Sequence, residues 1–224
     1  GAHLIYAGAR GLVREAAAAD VASMNWHAMG AALAAHVPEA LLVDVGSTTS
    51  DLLPIRAGRL VAVGHDDRMR LASGALVYQG VARTPVMALA ALVPYRGAWQ
   101  GLAAEYFATT ADVYRLLGEL PPDADLLPSA DGRPKTAEDS AARLARMVGD
   151  DLGAADLPAL RDLAQWLRGT QLMRLRDAAL RVTEGRLPPL VVGAGVGRFL
   201  VRDLARVLGL AYADYAQALG YAHA

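Results

Sequence analysis

The stretch Leu41-Leu42-Val43-Asp44-Val45-Gly46-Ser47-Thr48-Thr49-Ser50-Asp51-Leu52-Leu53-Pro54-Ile55 leaves few folds open to this chain. The apolar run Leu41 to Val43 reads as a buried strand. It ends in an acid, Asp44, followed by a glycine and a run of hydroxyl residues. A second strand, Leu52 to Ile55, returns, and Ala57-Gly58-Arg59 turns the chain into a third, Leu60 to Val63. The acid and the hydroxyls therefore occupy the tight loop between two antiparallel strands. Gly46 permits a backbone shape that a Cβ would resist. Ser47, Thr48 and Thr49 offer hydroxyls, and the N–H groups of the turn can converge on an anion. Asp44 and Asp51 are placed to hold a metal ion or a water beside that anion, which is the chemistry of a phosphate and magnesium site. The plain competing account is a Thr-rich hairpin whose Asp caps its own turn. The second acid and the strand on each side favour the phosphate loop.

With 224 residues, 54% of them hydrophobic, the chain can bury a real core in one domain or two small lobes. Its 22 basic and 23 acidic residues leave no basic excess for a nucleic-acid surface. The lack of cysteine removes disulfides, thiolate metal sites and a Cys nucleophile. The His residues show no HExxH or HxH spacing, so a His-built zinc site is not expected. No apolar run reaches the roughly 18 residues of a membrane span, and no signal-peptide pattern opens the chain. The expectation is a cytoplasmic protein with small-molecule partners, no nucleic acid and no membrane.

Elsewhere the pattern is mainly helical. Ile5 to Val13 reads as a strand and a glycine-bounded turn, and Val13 to His36 as one or two helices that carry Asn25-Trp26-His27. Asp66 and Asp67 follow the third strand in a charged loop, where a ligand is within reach. Gly101 to Leu120 has apolar residues at helical spacing, and Thr136-Ala137-Glu138-Asp139 looks like a capping box. Leu157 to Glu184 reads as one helix of about 40 Å, long enough to cross a lobe or to support a homodimer contact. Then a strand, Leu190 to Val192, enters the glycine-rich turn Gly193-Ala194-Gly195-Val196-Gly197 and leaves as a helix with Phe199, Leu200, Leu204 and Val207 inward. Such a turn lets a phosphate approach a helix N-terminus. The G-x-G-x-G spacing is not the dinucleotide fingerprint, which excludes a Rossmann NAD site. Leu210 to Tyr215 gives a last strand before a short helical tail.

An Asp-Gly hairpin loop early and a strand–GxG–helix late resemble the layout of the actin and sugar-kinase superfamily, where the two elements face each other across a cleft and hold phosphates and Mg²⁺. Within it, Asp44 to Asp51 is similar to the D-[IV]-G-[GS]-T-T-x-D motif of hydantoinase A and oxoprolinase relatives. A narrower likeness joins that loop to Ser23-Met24-Asn25-Trp26-His27-Ala28, Arg70-Leu71-Ala72-Ser73-Gly74, Leu76 to Val86, Ala104 to Thr109, Asp112 to Leu117 and Val192 to Gly197. Together these resemble the tetrahydromethanopterin-linked C1-transfer pathway proteins, over most of the chain from Ile5 to Tyr215.

The resemblance implies an α/β fold with actin-like ATPase (ribonuclease H-like) lobes, mixed sheets and flanking helices. It implies residues 1–12 as the remnant of a first lobe, and 13–224 as the main phosphate-binding lobe with a helical insertion at about 84–185. Relatives begin with a first phosphate loop similar to D-[IV]-G-G-A-H-L-K, then a long segment before the strand that matches Ile5. Gly1-Ala2-His3-Leu4 is similar to the end of that loop joined directly to Ile5. A first lobe incomplete in this chain, with residues missing between Leu4 and Ile5, is therefore expected. Position 75 is Ala where the family pattern has Glu, so any role of that acid is absent.

The implied activity is a transferase that joins a furanylmethyl group to a tyramine phenol in methanofuran or a bacterial analogue, with diphosphate as leaving group. Mg²⁺ is the implied cofactor, held by Asp44 and Asp51. Gly46, Ser47, Thr48, Thr49, Gly193, Gly195 and Gly197 would bind phosphate. Asp44, Asp66 or His27 would take the phenol proton, and Asn25, Trp26 and Tyr78 would contact the substrate rings. The competing expectations are a kinase or ATPase that binds ATP in the same loops, and a non-catalytic metabolite-binding protein.

Overall fold

A computed structural model describes residues 5–6, 12–15, 24–151 and 157–221. Ile5–Tyr6 (β1) pairs antiparallel with Leu12–Val13 (β2), so Val13 belongs to a strand and not to the start of a helix. Helix Asn25–Ala34 (α1) leads into Ala40–Val45 (β3), Ser50–Arg56 (β4) and Arg59–Leu60 (β5). Asp67–Ser73 (α2) and Leu76–Val77 (β6) follow. A hairpin of Leu92–Tyr95 (β7) and Ala98–Gly101 (β8) precedes helices Thr110–Leu116 (α3), Ala137–Met147 (α4) and Leu157–Val182 (α5). The chain closes with Leu190–Ala194 (β9), Arg198–Leu208 (α6), Ala211–Asp214 (β10) and Tyr215–Ala218 (α7).

The main sheet has six strands in the order β10–β9–β3–β4–β5, with β6 also on β4. β10, β9 and β3 run parallel, and β3–β4, β4–β5 and β4–β6 are antiparallel. Side chains alternate across it. Leu41, Val43, Val45 and Leu52 join Leu172, Leu175, Leu200 and Leu204 of α5 and α6 in a core on one face. Leu42, Leu53, Ile55 and Val192 meet Leu33 of α1 on the other, with Tyr215 and Leu219 packed against them. The inward stripe of α6 is Val201, Leu204, Ala205 and Leu208, at the i, i+3, i+4, i+7 spacing of one helix face. Val207 flanks that stripe and is 46% exposed.

A second core lies within the stretch expected as a helical insertion, and it includes a β-hairpin. Val93 and Tyr95 of β7 pack with α3, α4 and the first half of α5. The helix expected over Gly101 to Leu120 is confined to Thr110–Leu116. The Thr109 N–H donates to Asp112 Oδ2 at 3.0 Å, which fixes the start of the helix. Upstream, the N–H groups of Leu102 and Ala103 are bound to the carbonyls of Ala91 and Met147. Gly118, at φ +73°, ends it in the left-handed conformation that favours glycine.

The third strand stops at Leu60 instead of reaching Val63. Val61 N–H donates to the Pro54 carbonyl at 2.9 Å, but Pro54 has no N–H to return, so the ladder closes there. The expected loop at Asp66–Asp67 is the start of α2, capped by Asp66. Among the described residues no helix is long and apolar enough to cross a membrane.

Candidate active site

Asp44 is the penultimate residue of β3 and stands directly across the ladder from Asp51 on β4. Such partners share a face of the sheet, here the α1 face reached by Leu42 and Leu53. Burial, together with the charge of Asp51, pushes the Asp44 carboxyl up to about 6. Burial pushes Asp51 up as well, against the opposing pull of the Arg70 guanidinium. Arg70 is only 3% exposed. It is ion-paired to Asp51 and lies 3.4 Å from Asp67. Its guanidinium carbon sits 4.2 Å from the centre of the Trp26 ring. Among the described residues Asp44 has no such cationic partner. Its neighbour Asp51 uses one oxygen on Arg70 and keeps the other.

The hydroxyl turn is held by the segment that follows β6. Gly46 N–H closes the turn on Thr49 O at 2.9 Å. The N–H groups of Val81, Ala82 and Arg83 donate to the carbonyls of Gly46 and Ser47. These bonds use the carbonyls of the turn, while the N–H groups of Ser47, Thr48 and Thr49 donate to no protein acceptor among the described residues. Those donors remain available to an anion. Gly46 itself is not in the positive-φ region. The position that excludes a side chain is Gly80, where a Cβ would strike the Ser47 carbonyl and the Thr48 nitrogen.

The glycine turn after β9 lies beside the hydroxyl turn in the same sheet, because β9 is the parallel neighbour of β3. The two elements therefore do not face each other across a cleft. Gly197 N–H donates to Val45 O at 2.8 Å and ties the turns together. A Cβ on Gly195 would strike Asp44 Oδ1, so the carboxylate rests directly on the glycine turn.

Two cavities open on this face. One of about 400 Å³ is lined by Met29, Gly193, Gly195, Arg198, Tyr215 and Gln217, among others. Burial and the charge of Asp44 both raise the Tyr215 phenol above its ordinary range. The other, of about 240 Å³, is lined by Asn25, Trp26, Thr49, Asp51, Asp67, Arg70, Leu76 and Tyr78. Thus Asn25 and Trp26, together with Tyr78 much further along the sequence, share one cavity with Asp51 and Thr49. His27 is edge-on to Trp26 at 5.3 Å, and burial lowers its pKa. Asp66 accepts the Met69 N–H at 2.7 Å as the cap of α2. Gly193 and Gly195 line the larger cavity, whereas Gly197 packs against Val45 and Val81.

Sequence reasoning missed Arg70, Gly80 and Tyr215. Arg70 carried a weak signal in its i+3 spacing from Asp67. Gly80, beside a short strand, carried the signal of a close backbone approach. Tyr215 had none, since only the fold brings it to Asp44.

Among the described residues no cluster of three or more His, Cys, Asp or Glu side chains stands ready for a metal ion. Mg²⁺ is commonly held by one or two carboxylates, substrate phosphates and waters. The Asp44–Asp51 pair fits that pattern, since a cation would relieve the repulsion felt at Asp44.

The sheet order and paired turns define a lobe of the actin-like ATPase fold. The nucleotide-free structure of acetone carboxylase, from work on ATP-dependent acetone carboxylation, shares this fold. The TM-score is 0.57 at 18% identity, over 92% of this chain and 32% of that one. Residues 12–222 match the hydantoinase/oxoprolinase family, and the chain belongs to it. It is 32% identical over 185 residues to the (4-{4-[2-(gamma-L-glutamylamino)ethyl]phenoxymethyl}furan-2-yl)methanamine synthase of Methanocaldococcus jannaschii, covering 82% of this chain and 56% of that protein. It is 32% identical over 112 residues to the enzyme of the same name from Methanococcus vannielii, covering 50% of each. The chain thus spans about half the length of these curated relatives.

Proposed function

We propose that this chain takes part in forming a furanylmethyl aryl ether, as the names of its relatives describe for their product. The observation that carries the reading is a half-buried, cation-free carboxylate, Asp44, set between an anion-accepting turn and a glycine turn, with a cavity beside each. Asp44 takes the proton of a phenol lodged in the larger cavity. A carboxylate near pKa 6 is a stronger base than an ordinary one, which helps against a phenol of pKa about 10. The phenolate oxygen attacks the furanylmethyl carbon, the bond from that carbon to the diphosphate oxygen breaks, and diphosphate leaves with the electron pair. The N–H groups and hydroxyls of Ser47, Thr48 and Thr49 stabilise the charge that develops on it. Mg²⁺ would be held by the second oxygen of Asp51 and by the diphosphate itself, and would supply further positive charge to the same oxygens while Asp44 stays free to take the proton. Asp44 then returns its proton to solvent.

The test is phosphorus NMR of the protein with Mg²⁺ and a furanylmethyl diphosphate, with and without a tyramine phenol, beside a parallel sample with ATP. Diphosphate released only with the phenol is the expected result. ADP and phosphate from the ATP sample, with no diphosphate in the other, would replace this reading with an ATPase or kinase.

A further inference from the structure

The two cavities that flank the Asp44–Asp51 pair differ in size and in charge, the larger carrying one charge of each sign in Arg198 and Asp214, and the difference assigns the substrates. At about 240 Å³, the cavity between α1, α2 and β6 falls below the usual range for drug-sized ligands, whereas the one beside Tyr215, at about 400 Å³, falls within it. The smaller one suits a single ring with short substituents. Its walls include Trp26 and the 59% exposed Tyr78, flat surfaces for an aromatic ring. Its charged lining is Asp51, Asp67 and Arg70, two carboxylates against one guanidinium, so it favours a cation. The Asp67 side chain is 54% exposed, and one of its oxygens has no partner among the described residues. Thr49 brings the end of the anion-accepting turn into the same cavity.

On the reading proposed above, we infer that this cavity holds the diphosphate substrate by a primary ammonium on its ring, with Asp67 as the residue that recognises the ammonium. The ring lies against Trp26 and Tyr78, and the diphosphate reaches the Thr49 side. The larger phenolic substrate takes the cavity beside Tyr215. Asp67 is then a specificity residue that separates ring amines from ring alcohols.

The test is titration calorimetry of the full chain with furfurylamine and with furfuryl alcohol at neutral pH, repeated for Asp67→Asn and Tyr78→Ala. Circular dichroism checks that each variant folds. The wild type is expected to bind the amine about tenfold more tightly than the alcohol, the scale of one charge-assisted hydrogen bond. Asp67→Asn should erase that preference, and Tyr78→Ala should weaken both ligands alike. Equal binding of amine and alcohol by the wild type, or an unchanged preference in Asp67→Asn, overturns the assignment. The binding arm needs no turnover. A protein that prefers the amine through Asp67 but releases no diphosphate therefore keeps the cavity assignment and loses the transferase reading.

Discussion

Asp44 and Asp112 are both poorly exposed carboxylates, held in opposite ways. Asp112, in the second core, accepts from Arg143 Nε at 2.8 Å, from the Ser140 hydroxyl at 2.8 Å and from the Thr109 N–H at 3.0 Å. Arg143, 1% exposed, also reaches Asp131 at 2.9 Å. Asp44 faces a second acid, and the guanidinium of Arg70 is committed to that acid and to Asp67. A saturated buried charge joins parts of a fold. One left without a cation costs stability, and proteins keep such groups where chemistry needs them.

Replacing each member tests the contrast, and the largest effect falls on turnover. Asp44→Asn should lower phenol-dependent diphosphate release about a hundred- to ten-thousand-fold, measured by phosphorus NMR or a coupled diphosphate assay. A variant as active as the wild type would remove Asp44 from the chemistry. Next comes Arg143→Ala, which takes from Asp112 its closest cation and leaves it Arg115 at 3.5 Å. Urea titration should show a loss of about 3–5 kcal/mol.

The pH dependence of stability sharpens the same comparison. The Asp44 carboxyl rises from an ordinary 3.8 to about 6 on folding, so the folded state prefers it protonated. That stabilisation is complete below 3.8 and lost as pH rises through about 6. Asp44→Asn has no such proton to lose. At pH 7 it should be more stable than the wild type by about 1–3 kcal/mol, with the gap closing below pH 4. Paired urea titrations across this range measure it; a gap that stays constant with pH would contradict the burial of Asp44.

The smallest effects compare two glycines. Gly80→Ala drives a methyl into the Ser47–Thr48 backbone and should cost about 1–3 kcal/mol, moving the turn and lowering turnover with it. Gly169→Ala, inside α5 with open space at its Cβ, should stabilise by about 0.5–1 kcal/mol and leave turnover alone. Thermal melts with activity assays separate the two.

What the sequence revealed follows from how local each signal was. The β3–turn–β4 hairpin, the β9–turn–α6 unit and the whole of α5 were readable because each is a continuous pattern with its own turn or period. Asp44 was readable because it sits inside such a pattern. The β7–β8 hairpin was not, since Leu92 to Gly101 is short and holds Pro94, and its partners in the core are distant in the chain. Likewise the Arg70–Asp51 pair, the seat of Gly80 on the hydroxyl turn and the approach of Tyr215 to Asp44 depend on tertiary packing. Beyond the weak cues at Arg70 and Gly80, the residues around them do not announce it.

The long helix α5 carries a further consequence. Its first half gives Leu160, Leu163 and Leu167 to the second core, and its second half gives Leu172 and Leu175 to the sheet core. Arg174 fastens the same rod to the carbonyls of Ala88 and Leu89. Melting either core would leave half of one continuous helix with its apolar stripe in water. The two cores are thereby bound into a single cooperative folding unit, and the helical region is no detachable appendage of the main sheet.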